Sequence, residues 1–328
     1  MLGQRVVTAV VLLIILAAVM AAPGPLPFAI LVAVFGIAAL FEWWRLTLAR
    51  AVPTGVQGGM PLANVLFQGE TGLQGGLRVL ATAAGLALAV RLLLDYSVLG
   101  GPVGVLLSGA ESAIIGFGTL GWVQLMQQLV GRTWIWAMVG WVAVLGYLFV
   151  ARTDKAPFSV LLTAFGLLAV PAACAALLVA YGHGVLYLVS LLGIVWAADI
   201  GAYFVGRRVG GAKLAPRISP GKTISGAIGG MVCAILWVVG CAAFASSTPV
   251  GPSTYGGDLV AHWGWLGAVG LTALLAVFSV AGDLFESLLK RRAGRKDSSQ
   301  LLPGHGGVFD RIDAVLPTAP LAMLLVLS

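Results

Sequence analysis

Residues 185–208 read VLYLVSLLGIVWAADIGAYFVGRR, an apolar run broken by one acid, Asp199, and closed by two arginines. At a helical rise of about 1.5 Å per residue, the part before Arg207 is long enough to cross a hydrocarbon core of roughly 30 Å. A helix of this kind cannot be covered by a soluble core of ordinary composition. The whole chain agrees: of 328 residues, 60% are hydrophobic and only 9% charged. The pattern predicts an all-α, polytopic integral membrane protein.

Working outward, further apolar runs predict spans at 6–22, 28–44, 77–94, 133–150, 158–180, 223–247, 263–282 and 313–328. With 185–205 they make about nine. The run from Val6 to Ala22 is read as a retained first span, because no small-x-small cleavage site follows it before Pro23. The stretch 113–130 holds Gln124, Gln127 and Gln128 and is expected to be interfacial or re-entrant. The three cysteines, Cys174, Cys233 and Cys241, lie in apolar runs without metal-ligand spacing, so they imply neither a disulfide framework nor a metal site.

Charge orients these spans. The connector 206–222 carries Arg207, Arg208, Lys213, Arg217 and Lys222 without an acid, and 283–311 is also basic, whereas 248–262 has no Lys or Arg. The first two are expected in the cytoplasm with Arg5, Arg45, Arg50, Arg152 and Lys155. The N-terminus is then cytoplasmic and the C-terminus outside. Residues 1–150 are read as an N-terminal transmembrane region with a flexible loop at 52–76, and 151–328 as the catalytic region of one integrated membrane domain. No internal repeat suggests a transporter built from related halves.

Three constellations carry chemistry. Asp199 is costly in a membrane helix, and Tyr203 and Arg207 follow it at one-turn spacing on the same face. Ser219-Pro220-Gly221-Lys222-Thr223 precedes a helix, where amides and the helix dipole favour phosphate. It is not a phosphate-binding loop of the Walker type, since Pro216 stands where a glycine is required and no strand is expected before it. The third constellation, 283–313, concentrates five of the twelve acids and six of the nineteen Lys and Arg residues, together with His305. Asp283, Glu286, Ser287, Lys290 and Arg291 fall on one helical stripe, and the helix is expected to break after Ala293-Gly294. Lys296, Asp297 and the turn 303–307 follow, then Asp310, Arg311 and Asp313. Carboxylates suit Mg²⁺ and the cations suit phosphates, which together indicate nucleotidyl or phosphoryl transfer to a lipid. A salt-bridged loop that only fixes topology is the plainer alternative.

The order Ser287, Lys290-Arg291, Lys296-Asp297, Ser299, Pro303, His305-Gly306-Gly307, Asp310-Arg311 and Asp313 resembles the signature of the phosphatidate cytidylyltransferases, also called CDP-diacylglycerol synthases. Asp199, Ala202-Tyr203, Gly206, Lys213 to Pro216, Ser219-Pro220 and Lys222-Thr223 are similar to that family as well. Arg5 and the Glu42-Trp43 pair fit it too. Two features depart from it: Ser225-Gly226, where an acid or amide often precedes the glycine, and the segment 95–132, which has no counterpart.

The resemblance implies transfer of a cytidylyl group from CTP to phosphatidate in a bacterial inner membrane, with nine spans and a two-cation centre. Asp283 and Asp310 are expected to hold Mg²⁺, with a second cation nearby. Lys222, Lys290, Arg291 and Lys296 are the expected phosphate contacts, with His305 and Asp313 placing substrate. Ser219, Thr223, Asp297 and Arg311 are expected to join them in substrate binding, and Asp199 and Tyr203 to shape the cavity. The expected partners are CTP, phosphatidate and membrane lipid, with a homodimer open and no nucleic acid. A CTP-dependent lipid kinase, an isoprenoid-lipid cytidylyltransferase and, more remotely, a transporter remain as rival readings.

Overall fold

The computed structural model describes residues 2–22, 24, 26–48, 119–154, 159–247, 253–302 and 304–327. The expected loop 52–76 and the expected span 77–94 lie outside these residues. Nine helices and one short hairpin are described. The helices are α1 (Leu2–Ala21), α2 (Leu26–Thr47), α3 (Thr119–Val150), α4 (Val160–Gly182), α5 (Val185–Val209), α6 (Ile224–Ser246), α7 (Tyr255–Arg292), α8 (Phe309–Ile312) and α9 (Val315–Leu327). Between α5 and α6, β1 (Lys213–Ala215) pairs antiparallel with β2 (Ser219–Thr223). Among the described residues, six helical segments are long and apolar enough to cross a membrane: α2, Arg132–Val150 of α3, α4, α5, α6 and α7. The protein is thus a multi-pass, helical membrane protein.

Local signals set the helix ends. Ser159, Thr223 and Thr254 each cap the following helix, accepting from the amides of Leu162, Gly226 and Gly257 at 3.2, 3.1 and 3.0 Å. At the end of α7, Gly294 turns left-handed (φ 64°), with its amide on the Arg291 carbonyl and that of Arg295 on the Lys290 carbonyl. This double bond pattern closes the helix at the expected glycine. A kink at Gly264 (φ 67°, ψ 172°) splits α7, so its long second part runs unbroken from the membrane into the charged stretch.

Two expectations change. Of the stretch expected to be interfacial or re-entrant, residues 113–118 lie outside the described residues, and 119–130 continue into the α3 span as one helix, so they do not form a separate re-entrant piece. The connector 206–222 also contains a strand, since β2 is the Ser219–Thr223 segment itself. That backbone is extended and paired with β1, so it cannot wrap a phosphate as a Walker loop would, and that assignment still fails. The last expected span is the 13-residue α9, which at 1.5 Å per residue reaches only about 20 Å. It is buried along most of its length among the other helices.

Packing gathers the charged segments at one end. Helices α5 and α6 approach closely through glycines: a Cβ at Gly226 would lie 2.8 Å from the Ala202 carbonyl, and one at Gly230 would strike that of Ala198. Trp43 and Trp44 of α2 donate to the carbonyls of Leu162 and Thr163 at 2.8 and 3.2 Å, fixing α2 on α4. At one end of the bundle Arg292 reaches the Arg152 carbonyl (2.9 Å) and Arg291 that of Ile218 (3.4 Å). At the other end Ser253 reaches the His183 carbonyl at 3.2 Å. The basic loops therefore share one end, and the loops poor in Lys and Arg share the other.

Candidate active site

The C-terminal part of α7 supplies one wall. Asp283, Glu286 and Lys290 lie on its inner stripe, three and four residues apart, so all face the same space. Asp313, placed between α8 and α9, comes up against them. One oxygen from each of Asp283, Glu286 and Asp313 lies within 4.8 Å of the others. Lys222, at the end of β2, pairs with Asp283 at 2.5 Å. Asp199 of α5 is within electrostatic reach of Asp283, Lys222 and Arg311, so four carboxylates converge from two helices and a turn.

Burial makes this convergence costly. For Asp313, burial and then the Asp283 carboxylate push the carboxyl up to about 8, with Asp199 adding to the effect and the Ala314 amide and Lys222 opposing it. Glu286 is 1% exposed, and its Oε1 has no hydrogen-bond partner among the described residues. Three oxygen ligands at this separation, one of them orphaned, fit a hard divalent cation, which takes carboxylates and substrate phosphates together. Lys222 presents positive charge to the same set. The described residues therefore suit the Mg²⁺ that the sequence leads one to expect.

Beside this cluster sits a second one. Lys290 pairs with Glu286 at 2.5 Å and with Asp310 at 2.6 Å, largely out of solvent. Asp310 also accepts from the amides of Ser298 (2.9 Å) and Gly307 (2.7 Å), and its Oδ2 lies 2.8 Å from the Ser298 hydroxyl oxygen. Burial opposes its ionisation, but the neighbouring Glu286, the Lys290 ammonium and the Gly307 amide outweigh that and hold its carboxyl well below the usual range. The expected metal pair, Asp283 and Asp310, is therefore spread over both clusters and joined through Glu286 and Lys290.

The remaining expected residues fall around these two clusters. Thr223 is the buried N-cap of α6, and Ser219 opens β2. Arg291 is exposed and ties the hairpin to α7 through the Ile218 carbonyl. Lys296 and Asp297 are exposed on the loop after α7. That loop turns back where Leu302 bridges to Gly306, with Gly304 and Gly306 at φ 75° and 85°. Arg311 donates to the His305 carbonyl at 2.7 Å, and His305 Nδ1 is buried without a partner among the described residues. Tyr203 is exposed and accepts from Arg207 at 2.8 Å.

Two residues carry more of the geometry than the sequence indicated. Glu286 stood on the right stripe, but only the fold shows it between both clusters. Glu42, fully buried on α2, accepts from the hydroxyls of Ser298 (2.8 Å) and Ser299 (2.5 Å) and from the amides of Val308 (3.1 Å) and Phe309 (2.7 Å). Its signal was an acid at the end of an apolar run, which is costly unless paired or functional.

Comparison with known proteins places the chain in a family. The chain is 44% identical over 138 residues to a phosphatidate cytidylyltransferase of Haemophilus influenzae, covering 42% of this chain and 44% of that protein. It is 49% identical over 137 residues to one of Brucella suis, covering 42% and 45%. With one of Pseudomonas aeruginosa the identity is 43% over 133 residues, covering 40% and 44%. The chain therefore spans less than half the length of each of these curated relatives. The sequence model described as the cytidylyltransferase family matches residues 102–328, which include α3 to α9 and both carboxylate clusters; the chain belongs to the cytidylyltransferase family.

Proposed function

We propose that this protein transfers the cytidylyl group of CTP to phosphatidate, giving CDP-diacylglycerol and pyrophosphate. The observation that carries the reading is the convergence of Asp283, Glu286 and Asp313 opposite Lys222, in a membrane chain of the cytidylyltransferase family. The names of the relatives support the same substrates.

An oxygen of the lipid phosphate attacks the α-phosphorus of CTP, and the bond from that phosphorus to the bridging oxygen of pyrophosphate breaks. The nucleophile is already an anion, so no strong general base is required. The difficulty lies in bringing two polyanions together and neutralising the charge that builds between them. A divalent cation held by Asp283, Glu286 and Asp313, with Asp310 close behind, supplies that neutralisation when bound. Lys222 is the chain's own cation at the same place and is positioned to swing from Asp283 to a phosphate. Lys290 acts differently: wedged between Glu286 and Asp310, it fixes the spacing of the carboxylates.

An apolar groove lined by Leu148, Ile218, Met231, Val280 and Leu284 suits an acyl chain, and its Leu284 directly follows Asp283. The basic end of the bundle is read as cytoplasmic, in keeping with the positive-inside rule and a soluble nucleotide. In this reading the chain sits in the inner membrane with its N-terminus in the cytoplasm.

The test is purified protein with phosphatidate, Mg²⁺ and CTP labelled at either the α or the γ phosphate. Label is expected in lipid from the α position alone. Label from γ only would mean a kinase, and no labelled lipid would overturn the reading altogether. In the same assay Asp283→Asn and Asp310→Asn should abolish turnover in protein that is still inserted and folded. Near-normal incorporation in either would sink its role around the cation.

A further inference from the structure

We propose that Glu42 is a positioning residue for this reaction, so that the site is completed by a helix outside the family-matched segment. The inference rests on the cytidylyl-transfer reading for its kinetic arm only. Glu42 lies on α2, whereas the family match begins at residue 102. Its carboxylate is 0% exposed, and burying a carboxylate is costly unless donors surround it.

All four donors come from the stretch between α7 and the start of α8, at two places ten residues apart. Ser298 and Ser299 hold the carboxylate in the first half of that loop, and the Val308 and Phe309 amides hold it where α8 begins. The closure is tight: a Cβ at Gly307 would strike both Ser298 Oγ and Glu42 Oε2, so only glycine fits between the two places. The neighbouring Trp43 stacks on Phe309 with ring centroids 5.1 Å apart and 26° between planes. Two consecutive α2 residues thus hold the residue that directly precedes Asp310.

The link to the site runs through Ser298. Its hydroxyl lies 2.8 Å from Glu42 Oε2 and 2.8 Å from Asp310 Oδ2, while its amide donates to Asp310 at 2.9 Å. Asp310 holds Lys290, and Lys290 holds Glu286 of the candidate cation cluster. Glu42 touches no member of that cluster. It acts by fixing the loop that presents Asp310, as outer partners of metal-site carboxylates do.

Glu42→Gln in the full-length protein tests this, because it keeps the size but replaces one accepting oxygen with an NH₂ that faces N–H and O–H donors. The expected result is a fall in kcat of about 10–100-fold, as for loss of such outer partners, with little change in KM for CTP. The Mg²⁺ concentration for half-maximal rate should rise. Hydrogen exchange at residues 298–309 should speed up while exchange in α4 to α7 stays as in the wild type. Glu42→Asp should recover part of the rate. Ser298→Ala, which cuts the link and leaves α2 intact, should reproduce the kcat effect if Glu42→Gln folds poorly.

Wild-type kcat and wild-type exchange in Glu42→Gln would overturn the proposal. So would a rate loss fully accounted for by a smaller folded fraction, since that describes a merely structural tie. If wild-type protein makes no labelled lipid, the function proposed above fails. Exchange in the loop, with and without Mg²⁺, then still decides whether Glu42 orders it.

Discussion

At the scale of single residues, two lysines that look alike in the sequence do different work. Lys222 and Asp283 form a pair with side chains 26% and 33% exposed, so water screens it and its net contribution is about 1 kcal/mol or less. Lys290 is 15% exposed between partners that are 1% and 8% exposed. Removing one member of so buried a set leaves charge uncompensated and costs roughly 3–5 kcal/mol. Lys290→Ala should therefore lower the melting temperature in detergent clearly, and Lys222→Ala should hardly move it while impairing cytidylyl transfer. Equal losses of stability in the two variants would contradict this division. The distinction was not legible in the sequence, where both are cations near acids. It depends on which lysine the helix turns inward.

At the scale of elements, the crossing of α5 and α6 places Asp199 and Lys222 on one site. The crossing is close because Gly226 and Gly230 leave room for the carbonyls of Ala202 and Ala198. Gly230→Val would push the helices apart and should cost about 1–3 kcal/mol by overpacking, read as a lower melting temperature. A neutral effect would mean the crossing is looser than it looks. The end of α7 was readable in advance from Ala293-Gly294, since the chain there needs a left-handed residue. The β1–β2 hairpin was not, because three- and five-residue strands in a glycine-rich, basic connector leave no periodic pattern. Nor was the continuity of α3 through 119–131, where the glutamines and glycines left the helix without a clear apolar pattern.

At the scale of the whole molecule, the charge rule and the packing make one joint prediction. Arg152, the hairpin and the end of α7 share one end, and His183 and Ser253 the other. In protein freed of its three native cysteines, Lys213→Cys and Ser253→Cys should label from opposite faces of intact membrane vesicles. Labelling of both from one face would overturn the topology. The all-α membrane architecture and the residues of the charged stretch were readable from sequence, because apolar length and charge order are one-dimensional properties.

The sequence by itself determined that this chain lives in a membrane, that α7 ends at Ala293-Gly294, and that its charge is concentrated in one stretch near the C-terminus. Hydrophobic burial and helix geometry act locally, so composition and spacing suffice for that. Only the tertiary structure decided how the acids divide: Asp283, Glu286 and Asp313 in one cluster, Asp310 clasped by Lys290 in the next. It also brought Glu42 across 256 positions to Ser298. Such contacts depend on how helices rotate and cross, and the pairing of two buried polar groups far apart in the chain leaves no periodic trace in either segment.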